Sequence, residues 1–534
     1  MKVPLSWLKD YVNINLSIAE LADRLTFAGM EVEHIDFVGV PGAELVWDRS
    51  KIVIAQILEV RAHPNADRLV LADVDHGVGE PHQVVTGAPN IFHLKGQGPL
   101  ANGPKVVYAR EGSVLYDGHQ PGRVLMTLKP AKLRGVKSDS MVCSEKELGL
   151  SDEHEGIIIL DEDAPVGSAA ADYLGDVVLD IAILPNIARA ASILGIAREV
   201  AALTGQKLKQ PTYELNGTGP AVEHGVKVEI RDQDLCSRFT ATIIRGVKPG
   251  PSPYWVQRRL RLAGQRPINN IVDVSNYVML DTGQPIHTFD YDKLVKRANG
   301  LPTIIVRRAQ AGERMTTLDN IDRELNTDNL MITDSRGPVG VAGIMGGLET
   351  EVDDQTTNVL IEAANFNMIN IRKTTQQMRL PSEASVRFGR GIHPAMALRG
   401  NIRSANMIQQ LGGGMIDKGV VDVYPRPMET ITINLSLSEV KRILGFEVPT
   451  EEIVRILESL EFKSEISQGR SEISVTVPDH RTDCTGQHDL IEEVARIYGY
   501  DRMPRTVMND EMPPQRSNPS LEFEERVRDL LVQA

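Results

Sequence analysis

The three cysteines of this chain, Cys143, Cys236 and Cys484, are too few and too far apart for a disulfide framework or a zinc cluster. Odd in number as well, they read as reduced thiols. Aromatic residues make up only 4% of the sequence, which argues against a broad sheet of base-stacking platforms. Excess positive charge is also missing. Lys and Arg (58) against Asp and Glu (72) leave a net charge of −14, so any nucleic-acid contact must be local rather than a bulk electrostatic coat. No run of about twenty apolar residues occurs, and the opening MKVPLSWLKDYV lacks the apolar core and cleavage site of a signal peptide. From these absences we expect no membrane association and a cytoplasmic location.

What is present is several domains' worth of chain. Its most concentrated chemistry lies in RTDCTGQHDLIEEVARIYGY, residues 481–500. Leu490, Val494 and Ile497 have helical spacing, and Gly499 is a residue type that ends helices. Asp489, Glu492 and Glu493 stand at i, i+3 and i+4, so a shared face is expected, approached by Asp483 from the preceding loop. Such hard oxygen ligands suit Mg²⁺. The helix macrodipole alone also favours acidic residues in a first turn, with no ion needed.

Taken in order, the chain begins with a helix that Ser17 and Glu20 mark as capped and Gly29 as stopped. From Lys51 onward, short apolar strands separated by Gly, Pro and Asn predict a small barrel. Lys129, Lys132, Arg134 and Lys137 form a local basic patch, expected on a strand pair. Residues 254–266 predict a helix whose arginines, Arg258, Arg259, Arg261 and Arg266, are expected on a solvated face. Ser436 and Glu439 predict a second capping box, with Gly445 as the stop.

The acidic segment resembles the B5 module of the bacterial phenylalanine–tRNA ligase beta-subunit family. HPNADRL (63–69) together with LKPAKLRGVKSDSMVCSEKELGL (128–150) resembles the oligonucleotide-binding fold of tRNA-binding accessory domains. RPINNIVDVSNYVMLDTGQPIHTFD, VAGIMGGLETEV, VLIEAANF and SEASVRF, in that order, resemble the B3/B4 editing domain of the same family. The fold implied is α+β and multidomain: an N-terminal module (1–40), an OB-fold tRNA-binding barrel (41–155), a connecting helical segment (156–210), a B3/B4 editing domain (211–400), a winged-helix-like B5 module (428–505), and from 506 to 534 the start of a C-terminal region that stops at Ala534.

The resemblance further implies a beta subunit working with an alpha subunit in an alpha2beta2 heterotetramer on tRNA(Phe). ATP is then a substrate of the assembled ligase, used in the alpha subunit. One Mg²⁺ per beta subunit, facing alpha, is implied at Asp483, Asp489, Glu492 and Glu493, and tRNA contacts at Lys129, Lys132, Arg134 and Lys137. An editing pocket that hydrolyses tyrosyl-tRNA(Phe) is implied at Asn276, His287, Gly346, Glu362, Ser382 and Ala384. In that pocket Glu362 would receive the tyrosine hydroxyl, while His287 and Asn276 orient the ester or a water. The chain departs from the family at Gly389, where an acidic residue is usual, and at Ile187–Ala191, usually more polar and cysteine-containing. Two other classes are compatible with the residues: a free-standing hydrolase of mischarged tRNA, and a non-enzymatic RNA-binding scaffold.

Overall fold

Strand pairing between distant segments organises the N-terminal module. In this computed structural model, which describes residues 1–467, 469, 471–504 and 516–534, the strand Asp176–Ile181 lies between Lys2–Pro4 and Val32–Val38 in an antiparallel sheet. The segment expected only to connect therefore supplies the central strand of the first module. The helix Ile18–Phe27 starts where Ser17 accepts a hydrogen bond from the Glu20 amide. Glu20 turns its carboxylate to Arg24 at 2.8 Å instead of back to the cap.

Five strands follow in the spatial order Met141–Val142, Lys105–Ala109, Ile52–Ala62, Val70–Asp75, His82–Thr86, with Ile159–Leu160 also paired to Lys105–Ala109. Inward residues of these strands, among them Ile57, Val60, Ala72, Val84 and Val106, pack into one apolar cluster. A hydrogen bond from the Val85 amide to Ser138 Oγ, 3.4 Å, ties the last strand towards the first, leaving a nearly closed barrel.

The largest domain holds two sheets. One has the order Ile286–Asp290, Asn358–Phe366, Cys236–Arg245, Met415–Ile416. Its central strands are buried along almost their whole length, and the polar residues they carry, among them Thr240, Thr242 and Glu362, are buried with them. The helices Asn270–Thr282 and Ala395–Gly412 pack in the same core as this sheet. The other sheet runs Lys227–Ile230, Thr303–Arg308, Leu330–Asp334, Gly337–Val341, Met345–Gly346.

Beyond it, three strands in the order Thr432–Ser436, Glu472–Thr476, Lys463–Ile466 carry three helices, Leu437–Leu444, Thr450–Ser459 and Gln487–Tyr498. The capping box expected at Ser436 does not form: Ser436 Oγ lies 2.8 Å from Ser438 Oγ, and Glu439 pairs with Arg442. Gly445 does stop its helix, in the left-handed conformation. Residues 506–515 of the expected C-terminal region lie outside the described residues. No helix among the described residues is long and apolar enough to cross a membrane.

Candidate functional site

A cavity of about 400 Å³ opens in the largest domain, where both sheets and two helices meet. Asn276 reaches it from the helix Asn270–Thr282, His287 and Glu362 from adjacent strands, Gly346 from the edge of the second sheet, and Ala384 from the helix Glu383–Phe388. His287 and Glu362 are direct cross-strand partners, so their side chains leave the sheet on the same face. Phe289, Phe366 and Phe388 supply apolar wall.

Burial sets the charge state of the two titrating groups. It pushes the Glu362 carboxyl up to about 8 and the His287 imidazole down to about 4. Both are uncharged at neutral pH. A protonated carboxyl is both donor and acceptor, and a neutral imidazole is one of each. The cavity thus offers paired, uncharged hydrogen-bonding groups within an apolar wall, which suits a ligand whose ring bears a hydroxyl.

Ser382 plays a different part from the one expected. It is not among the lining residues; its Oγ accepts from the Ser385 amide at 3.1 Å, and Ser385 Oγ accepts from the Ser382 amide at 2.9 Å. This reciprocal cap starts the short helix that sets Ala384 and Phe388 against the cavity. Gly389 ends that helix, close enough to Arg372 that an added Cβ would lie 3.0 Å from its Cγ. Sequence reasoning missed Ser275, Thr288 and Leu318, which also line the cavity. Ser275 neighbours Asn276 and Thr288 neighbours His287, so adjacency was the only signal for those two, and Leu318 had none.

The basic patch is exposed but only partly a strand pair. Lys132 and Lys137 face each other across the hairpin formed by Ala131–Leu133 and Val136–Ser138. Arg134 occupies the turn with φ 49°, and Lys129 lies in the link before the first strand. Like charges opposite one another are unfavourable unless an anion intervenes. Lys137 has one in Asp139, 2.9 Å away. The HPNADRL loop holds the hairpin: Asn65 Nδ2 donates to the Arg134 carbonyl at 3.0 Å, and His63 Nε2 lies 3.1 Å from the Leu133 carbonyl oxygen.

The arginine helix, Tyr254–Leu262, ends before Arg266, which is exposed as expected, but its own three arginines do not form a solvated face. Arg258 is 9% exposed and donates to the carbonyls of Leu174 and Gly175 and to Asp176. Arg259 pairs with Asp10 at 2.7 Å and Arg261 with Glu145 at 2.6 Å. These cations join the helix to the N-terminal module and the barrel.

The four carboxylates of the acidic segment do not share one face. Asp489 Oδ2 accepts from the amides of Thr485 and Gly486 at 2.8 and 2.9 Å, as a helix-start cap. Glu492 is exposed, whereas Glu493 is buried among arginines. Asp483 pairs with Arg481 at 2.7 Å. Among the described residues, no three His, Cys, Asp or Glu side chains are grouped so as to hold a metal ion. As disposed here, the residues do not fit a divalent cation.

Three family models match parts of this chain. The "Putative tRNA binding domain" family model matches residues 52–102 and 111–169, the "B3/4 domain" model 235–413, and the "tRNA synthetase B5 domain" model 433–500. A phenylalanine–tRNA ligase beta subunit of Dehalococcoides mccartyi is 43% identical over 524 residues, covering 96% of this chain and 62% of that protein. One of Moorella thermoacetica is 42% identical over 542 residues, covering all of this chain and 63% of that protein. The chain thus spans less than two thirds of the length of the relatives it matches.

Proposed function

Since the chain belongs to the phenylalanine–tRNA ligase beta-subunit family, we propose that it serves as the beta subunit of such a ligase and carries its editing site. Phenylalanine activation with ATP is assigned to an alpha subunit, the partner in an alpha2beta2 assembly acting on tRNA(Phe). This chain contributes tRNA contacts through Lys129, Lys132, Arg134 and Lys137, and hydrolysis of tyrosyl-tRNA(Phe) in the cavity of Glu362 and His287.

The observation that carries this reading is the uncharged pair of buried Glu362 and half-buried His287 on the wall of a largely apolar cavity. An apolar pocket by itself discriminates weakly against an added hydroxyl. A site that hydrogen-bonds the hydroxyl discriminates strongly in its favour. Glu362 binds the phenol of a tyrosyl ester; phenylalanyl esters leave that carboxyl without a partner and bind less well. His287 and Asn276 orient the ester and a water. The water oxygen adds to the ester carbonyl, the bond to the ribose oxygen breaks, and a proton passes to that oxygen, giving tyrosine and free tRNA.

The test is clearance of tyrosyl-tRNA(Phe) by the chain assembled with its alpha partner, wild type against Glu362→Ala. Fast clearance by wild type with phenylalanyl-tRNA spared, and impaired clearance by the variant, supports the reading. A complex that charges tRNA yet clears no tyrosyl ester overturns it.

A further inference from the structure

The acidic segment is occupied by cations of the protein's own. Three arginines, Arg189, Arg481 and Arg496, meet three carboxylates, Glu199, Asp483 and Glu493. Arg189 donates to Glu199 at 2.9 Å, to Asp483 at 3.3 Å and to Glu493 at 3.4 Å. Arg481 reaches Asp483 at 2.7 Å and Glu493 at 2.8 Å; Arg496 reaches Glu199 at 2.7 Å and also pairs with Glu493. Five of the six side chains are at most 7% exposed, Asp483 being the exception. The void beside them is about 10 Å³. That void, bordered by Arg189, Glu199 and Arg481, is close to the minimum for one water.

Local structure aims Arg189 at this place. The turn Pro185–Ala190 presses on the helix Ile193–Thr204 at Gly195, where an added Cβ would stand 2.1 Å from the Arg189 carbonyl oxygen. Burial opposes ionisation of Glu493, yet Arg496, Arg481 and Arg189 together hold its carboxyl far below the usual range. The same balance, set by Arg496 and Arg189, lowers Glu199.

We infer that these six residues form a cation-independent lock between the segment 185–199 and the 433–500 module, in which the Arg189 guanidinium takes the place of a divalent ion. Arginine suits this role because its planar fork satisfies several carboxylate oxygens and stays charged when buried. The acidic helix is thereby fastened to the rest of the chain without metal.

The lock is tested by thermal unfolding of the intact protein in saturating MgCl₂ and in EDTA. Wild type is expected to melt at the same temperature in both. Arg189→Ala leaves three carboxylates to two arginines, so its melting temperature should fall by roughly 5–10 °C and become higher in MgCl₂ than in EDTA. Electron paramagnetic resonance with Mn²⁺ should find the ion bound to the variant and free in wild type. A wild-type melting temperature that rises with Mg²⁺, Mn²⁺ bound by wild type, or a variant as stable as wild type would each overturn the inference. Should Arg189→Ala fail to fold, Glu199→Gln removes one anion and keeps every arginine. It is expected to melt lower with no response to Mg²⁺; unchanged melting would overturn the lock.

Discussion

His287 lies so close to Gly346 that a Cβ at position 346 would come within 2.4 Å of the imidazole Cε1. Gly346 pairs with Gly340 on the neighbouring strand, so the second sheet cannot simply withdraw. Gly346→Ala should therefore displace His287. A misplacement of about 1 Å at reacting groups costs on the order of 10²-fold in rate. The expected outcome is that loss in tyrosyl-ester clearance with near-normal thermal stability; full activity would show that His287 has room to move.

Glu362 makes stability depend on pH in a defined window. Its carboxyl, ordinarily at 4.5, rises to about 8 in the fold, so the native state holds a proton that the unfolded state releases between these values. Stability then falls as pH rises from about 4.5 to 8. His287, ordinarily at 6.5 and lowered to about 4, acts oppositely, its contribution falling as pH drops from 6.5 to 4. The two offset each other below 6.5, which leaves the interval from 6.5 to 8 to Glu362 alone. There, wild type should lose stability relative to Glu362→Gln by about 1–2 kcal/mol, read from denaturant midpoints at the two pH values. Parallel curves for both proteins would count against the buried, protonated carboxyl.

Lys129 and Lys132 are exposed. Changing both to Ala should reduce the slope of log affinity for tRNA against log salt by about 2. Removing Lys132 also relieves the charge opposite Lys137, so the fold should be no less stable. An unchanged slope would take the hairpin out of the RNA interface.

Asn65 carries the tie from the HPNADRL loop to the hairpin turn. Asn65→Ala should cost about 1 kcal/mol locally and speed amide hydrogen exchange in residues 131–138 while leaving the barrel core protected. Uniform exchange changes, or none, would show that the hairpin is held by other contacts.

Much of the candidate site was legible because its strings are irregular and local. The family resemblance of those strings puts His287, Gly346, Glu362 and Ala384 in one pocket, and the cavity is lined by all four together with Asn276. Ser382 caps its helix instead of lining the cavity: a serine two residues from a pocket residue can take either place, and only the direction of its Oγ separates them.

The charged residues tell the other half. Sequence by itself determined the barrel strands, the acidic helix and the presence of arginines at 258, 259 and 261. It did not determine which way any of them points. Successive helix residues are turned by about 100°, so Glu492 and Glu493, equally acidic on paper, end in solvent and in the interior respectively. The choice was made by partners distant in sequence: Arg189, 304 residues from Glu493, and the strand Asp176–Ile181, which joins a sheet begun at Lys2. Such pairings depend on loop closures that no local spacing encodes. Tertiary packing therefore decided where the charges went, because a buried charge is stable only where an opposite one is already held in place.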